Sequence, residues 1–241
     1  MHTWSLFWTL TANELTNVRR DSLLRWMAIM PVALALGLRW LVPVVDANIK
    51  WDLQPYYVLI MSGHCVFGVP VLIGFIVGML LLDDRDDGTL QAMRVTPLSL
   101  GNYLAYKLTL PVVLAAVTSV ICIPAAGLME FRASLVPACL VGALWAPILA
   151  LLMASFAKNK LQGFVLMRVS NVPVAAPFLA WFVTSSWTYA FGLLPSFWPL
   201  KAFWLAAEGQ TSWPFSLVGT LFHLICVAWL VARFHRAMSR E

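Results

Sequence analysis

Residues 56–87 read YYVLIMSGHCVFGVPVLIGFIVGMLLLDDRDD, and this stretch decides the fold. From Tyr56 to Leu82 it is apolar, with His64 as its one basic residue. A helix needs about 20 such residues to cross the hydrocarbon core of a bilayer. The run then meets Asp83, Asp84, Asp86 and Asp87, four acids within five residues. Charge of that density closes an apolar helix at a water-facing surface. The stretch therefore predicts a membrane-spanning helix with an acidic end, and Gly68-Val69-Pro70 predicts a kink within it.

The rest of the chain agrees. Of its 241 residues, 61% are hydrophobic and 11% charged, against roughly 25% charged in soluble domains. Mean hydropathy is +0.81. With 16 Lys and Arg and 11 Asp and Glu, the chain cannot cover a soluble surface of its size. High hydrophobicity excludes a disordered chain. Cys65, Cys122, Cys139 and Cys226 all lie inside apolar runs and read as small apolar residues, which excludes a disulfide scaffold. The net charge of +5 comes from Lys and Arg flanking apolar runs, so it reads as membrane topology and not as nucleic-acid binding.

Six runs have spanning length, at 23–45, 56–82, 108–129, 133–157, 161–187 and 214–232. They are too long and continuous for barrel strands. The start lacks a basic n-region and a small-residue cleavage site, so no secretory signal is expected. Arg39 breaks the first run and reads as snorkelling to the outer interface beside Trp40, the alternative being a pore-facing charge. Arg168 likewise reads as reaching headgroups, with a substrate role as its alternative. Twelve of the sixteen Lys and Arg fall on one side: Arg19, Arg20, Arg25, Arg85, Arg94, Lys107, Lys158, Lys160, Arg168, Arg233, Arg236 and Arg240. Arg39, Lys50, Arg132 and Lys201 fall on the other. The positive-inside rule then places both termini in the cytoplasm, which six spans satisfy.

The segments between runs carry further expectations. Over residues 1–22, Trp4, Phe7, Trp8, Leu15 and Val18 share one helical face, predicting an amphipathic helix in the cytoplasmic interface or against a partner protein. After the acids of the loop at 84–100, Gly88 ends the span helix, Thr89 caps a short new one and Pro97 stops it. Leu90 and Met93 fall on one face of that helix, which suits either a docking site or a simple chain reversal. Residues 157–160 read as a tight basic hairpin. Residues 188–213 are too apolar for an aqueous loop and too broken by Pro195 and Pro199 for a span. Five tryptophans between Trp181 and Trp213 crowd this region. It reads as a re-entrant or interfacial pair on the outer side, although an aromatic belt explains part of the crowding.

Several chemistries are missing from the sequence. It has no Gly-rich phosphate loop, Gly-x-Gly-x-x-Gly, His-Glu-x-x-His or Cys-x-x-Cys. His64 reads as a satisfied intramembrane histidine before a metal or haem ligand, since no second ligand set accompanies it. The acid cluster lacks a nucleophile beside it, so catalysis is not expected there, and neither a cofactor nor a metal site is expected in the chain.

The stretch DDGTLQAMRVTPLS at 86–99 resembles the acidic-Gly-Thr-Leu…Thr-Pro-Leu-Ser segment after the second span of ATP-binding-cassette (ABC) exporter permeases of the second type, above all those for bacterial drug export of the fluoroquinolone kind. LPSFWPL at 194–200 is similar to their Pro-rich outer stretch. One departure is Val172-Pro173 through Phe178, standing where such permeases often carry a Ser-Gly pair. The resemblance covers the chain as a single permease domain, 1–241. It implies an all-α integral membrane fold with a connecting helix, six spans, a cytoplasmic coupling helix and outer re-entrant helices. It also implies a plasma-membrane exporter subunit that is not itself an enzyme. ATP and Mg2+ would sit on a separate ABC ATPase, and a second permease would complete the unit. A lipophilic drug-like substrate and membrane lipids would be its other partners. Asp86, Asp87, Gly88, Thr89, Leu90, Met93 and Pro97 would form the contact with the ATPase. Two other readings stay open: a stand-alone secondary transporter or channel, and a haem-export-type assembly factor.

Overall fold

The computed structural model describes residues 22–87, 100–183 and 185–238, and every regular element among them is helical. The expected interfacial helix at 1–22 lies, but for its last residue, outside the described residues, as do residues 88–99 of the expected coupling loop. Helix α1 is Ser22–Asn48, α2 is Gln54–Asp86 and α3 is Leu100–Ala126. Helix α4 is Ala133–Phe156. Helix α5, Lys160–Ala175, continues into a 3₁₀ segment, Ala176–Phe182. Helix α6 is Phe197–Ala207 and α7 is Trp213–Met238. All but α6, with α5 taken together with its 3₁₀ continuation, are long and apolar enough to cross a membrane, which makes six candidate spans among the described residues.

The core lies between α2 and α4. In their most apolar stretches, 61% and 72% of residues are buried within the chain, against 17% in α1 and 22% in α5 and α7. Small residues permit this contact. Gly74 and Gly78 of α2 meet Ala146 and Ala150 of α4, backbone against backbone. Where lipid is as apolar as leucine, such close approach is the main source of helix association. Helix α3 brings α1 to this pair, and α7 lies along α4.

Proline sets the breaks. Pro147 has no N–H for the Ala143 carbonyl, and α4 is interrupted one residue later, at Leu144. Pro173 and Pro177 do the same in α5, which tightens to 3₁₀ at Ala176 and ends at Phe182, short of the apolar run. Helix α2 instead continues beyond its apolar run, through Asp83 to Asp86.

At one end of the bundle, two glycines with positive φ close helices: Gly127 (62°) after α3 and Gly209 (75°) after α6. Arginines cover both. Arg39 would lie 3.3 Å from a Cβ on Gly127. Arg132 donates to the Ala207 carbonyl at 3.0 Å, a cation at the negative end of α6.

Helix α6 is too short to cross a bilayer, yet it is wrapped by α2, α4, α7 and the 3₁₀ segments. Phe197, Leu200, Ala202, Phe203 and Ala206 are fully buried. Trp204 Nε1 donates to Ser62 Oγ at 2.8 Å, fastening α6 to α2. The five tryptophans of this region divide accordingly. Trp187 and Trp213 are exposed, Trp204 is buried, and Trp181 and Trp198 are half-buried against the core.

Candidate functional sites along the second span

The acidic end of α2 is tied into the bundle. Asp84 accepts from the Tyr103 hydroxyl and pairs with Lys107 at 3.1 Å, both on α3. Asp83 pairs with Lys160, the first residue of α5, at 2.5 Å. One helical step separates the two acids by 100°, so they face different neighbours. Asp86 and Asp87 are exposed at the tip. The adjoining turn is also fixed. Asn159 Oδ1 accepts from the Gln162 amide at 3.0 Å, and Gln162 Oε1 accepts from the Lys158 amide at 2.8 Å. This resembles a capping box, where the sequence was read as a plain basic hairpin.

Midway along α2, residues Gly63–Gly68 form a π-turn. The cause is local: Pro70 has no N–H to give, and the ladder lengthens by one residue before it. Neighbours satisfy the altered backbone. Ser119 Oγ on α3 donates to the Cys65 carbonyl at 2.6 Å. Gly142 of α4 lies so close that a Cβ there would fall 2.8 Å from the Val66 carbonyl oxygen. The π-turn thus sits where α2 meets both core neighbours, and it reaches the Gly68-Val69-Pro70 stretch for which the sequence predicts a kink.

The same turn aims His64 at α1. Its Nε2 lies 3.0 Å from the Pro31 carbonyl. A carbonyl can only accept, so Nε2 carries the hydrogen and Nδ1 is left as an acceptor. Cys122 of α3 donates its S–H to the same carbonyl at 3.5 Å. Below His64 lies a cavity of about 260 Å³, walled by α1, α2 and Met167 of α5. Among the described residues, no group of three or more His, Cys, Asp or Glu could hold a metal ion.

Of the residues expected to form the ATPase contact, Asp86 and Asp87 stand exposed at the end of α2. Gly88, Thr89, Leu90, Met93 and Pro97 lie outside the described residues. Arg168, exposed on α5, stacks its guanidinium 5.1 Å from the Phe164 ring, toward the start of its helix. The sequence reading passed over the internal ties of Asp83 and Asp84. It also passed over the Gly74-x-x-x-Gly78 and Ala146-x-x-x-Ala150 pairs, a small-x-x-x-small signal that was available.

A family model described as fluoroquinolones export permease protein Rv2686c-like matches residues 14–231. Two Mycobacterium tuberculosis proteins, fluoroquinolones export permease proteins MT2760 (strain CDC 1551 / Oshkosh) and Rv2686c (strain ATCC 25618 / H37Rv), are each 34% identical over 232 residues. The alignment covers 93% of this chain and 92% of each relative. No solved structure matches the chain.

Proposed function

The chain belongs to the Rv2686c-like family of fluoroquinolone export permeases, and on that premise we propose that it is the membrane subunit of an ABC exporter. It moves a lipophilic, drug-like molecule out of the cell, and ATP with its Mg2+ is bound and hydrolysed by a separate subunit. It sits in the plasma membrane with both termini in the cytoplasm and pairs with a second permease. The re-entrant pair lies on the outer side and includes α6. The segment from Gly88 to Pro97 docks in a groove of the ATPase through Leu90 and Met93, with Asp86 and Asp87 against basic residues at the groove's edge.

One observation carries the coupling role. Asp83 and Asp84 fasten the end of α2 to α5 and α3, so a push on the loop that follows would reach three spans together. Coupling requires that the states of the ATPase differ in their contacts with this loop. Burying a leucine or methionine side chain stabilises an interface by roughly 1.5–3 kcal/mol. Leu90→Asp or Met93→Asp is expected to remove that and to set a charge against an apolar groove. Insertion and expression should be unchanged, while the ATPase no longer co-purifies and export stops. Lys160→Asp, which breaks the pair with Asp83 and sets two acids together, should leave the co-purifying ATPase in place but weaken export. Wild-type association in Leu90→Asp would overturn the coupling assignment.

A further inference from the structure

We propose that the cavity beneath His64 is a binding site for a flat, aromatic amphiphile that presents an N–H or O–H donor, and that His64 Nδ1 is the group that recognises it. The inference rests on the exporter reading and deepens it by giving the substrate a place and a chemistry. Its volume, about 260 Å³, approaches the lower end of ligand pockets, roughly 300 Å³. Its walls are apolar, with Leu72 and Phe75 from α2 and Met167 from α5.

One polar feature interrupts those walls. His64 Nε2 is held by the Pro31 carbonyl, which fixes the tautomer and turns Nδ1 into an acceptor with no partner among the described residues. Gly68, next in the wall, has no side chain to cover it; a Cβ there would sit 3.9 Å from Nδ1. An acyl chain could fill the space but would leave that acceptor unpaired in an apolar setting, which is unfavourable. A ring system with one donor at its edge satisfies both the walls and the nitrogen. The π-turn belongs to the same site: it sets His64 at the angle that faces Pro31, and π-turns inside α-helices often mark such positions.

The test is equilibrium binding of norfloxacin to the full chain in lipid nanodiscs, with empty discs subtracted. Saturable binding is expected. His64→Leu should weaken it about tenfold, the equivalent of one hydrogen bond. His64→Gln keeps a donor for Pro31 and an acceptor for the ligand, and should retain most of the affinity. Leu72→Trp fills the cavity and should abolish binding, while Leu221→Trp, on the exposed face of α7, should bind as wild type. Unsaturable partitioning alone, or unchanged binding in both Leu72→Trp and His64→Leu, would overturn the site. Should Leu72→Trp not fold, equal affinity in His64→Leu and wild type would do so alone. The exporter reading fails by a different result: a chain that binds as expected but recruits no ATPase keeps the pocket and loses the exporter.

Discussion

A methyl group on Gly74 would lie 2.5 Å from the carbonyl oxygen of Ala146 and 2.8 Å from its Cα. Neither neighbour is a side-chain end that could swing away, so α2 and α4 would have to separate. Gly37 of α1 has nothing within 4 Å of the same position. The two glycines therefore give opposite expectations for the same substitution. Gly74→Ala should destabilise the fold by about 1–3 kcal/mol, the usual cost of overpacking. Gly37→Ala should be neutral or slightly stabilising, since alanine favours helix. Denaturant unfolding in detergent micelles measures both, and equal midpoints would show that the α2–α4 contact is looser than described. Composition alone does not separate these two glycines. Gly74 and Gly78 are spaced to share a face, but only the partner helix shows which face is pressed.

At the scale of the helix, the end of α2 shows what a sequence reveals and what it hides. Hydropathy made the six spans legible, because a bilayer demands long apolar runs and the chain has few charges to spare. The five-residue acid cluster was legible as an end, but it read as one unit facing outward. Helical geometry divides it: Asp84 turns to Tyr103 and Lys107, Asp83 to Lys160, and Asp86 and Asp87 to solvent. Those long-range pairings have no local signal. The π-turn at Gly63–Gly68 was half legible, since Pro70 announces a break without saying which way the ladder adjusts. A prediction follows from the difference in exposure between the ion pairs. The Asp84–Lys107 side chains are 24% and 16% exposed, while those of Asp83 and Lys160 are 38% and 55% exposed. Asp84→Asn weakens charge-assisted bonds to two partners in a partly dry site and should cost about 1.5–3 kcal/mol. Asp83→Asn breaks a solvated pair and should cost roughly 1 kcal/mol or less. Raised salt should narrow the second difference more than the first. Unfolding midpoints at low and high ionic strength decide it, and the reverse order would refute the assignment of Asp84 as the inner anchor.

At the scale of the molecule, the contacts sort the charges into two ends. Asp83–Lys160, Asp84–Lys107 and the stacking of Arg233 on Phe156 lie together, where α2 and α4 finish and α3 and α5 begin. Arg39 over Gly127 and Arg132 on Ala207 lie at the opposite end. The five cations of these contacts divide between the ends as they do in the count of twelve against four basic residues; Arg19, Arg20, Arg94 and Arg240 lie outside the described residues. In the proposed orientation, which follows the positive-inside rule, the first end would face the cytoplasm and the glycine-capped end would face out. Single cysteines can test this with little background, because Cys65, Cys122 and Cys139 are buried; Cys226, partly exposed in α7, is replaced by alanine. A cysteine at Gln91, in the proposed coupling loop, should resist a membrane-impermeant thiol reagent added to intact cells and react once the cells are opened. A cysteine at Gln210, exposed just beyond the Gly209 cap, should react in intact cells. Orientation decides the coupling role as well, because ATP is cytoplasmic and a loop on the outer face cannot meet an ATPase. Labelling of Gln91→Cys from outside would therefore reverse the topology and remove the coupling site with it, while leaving the six-helix bundle as described.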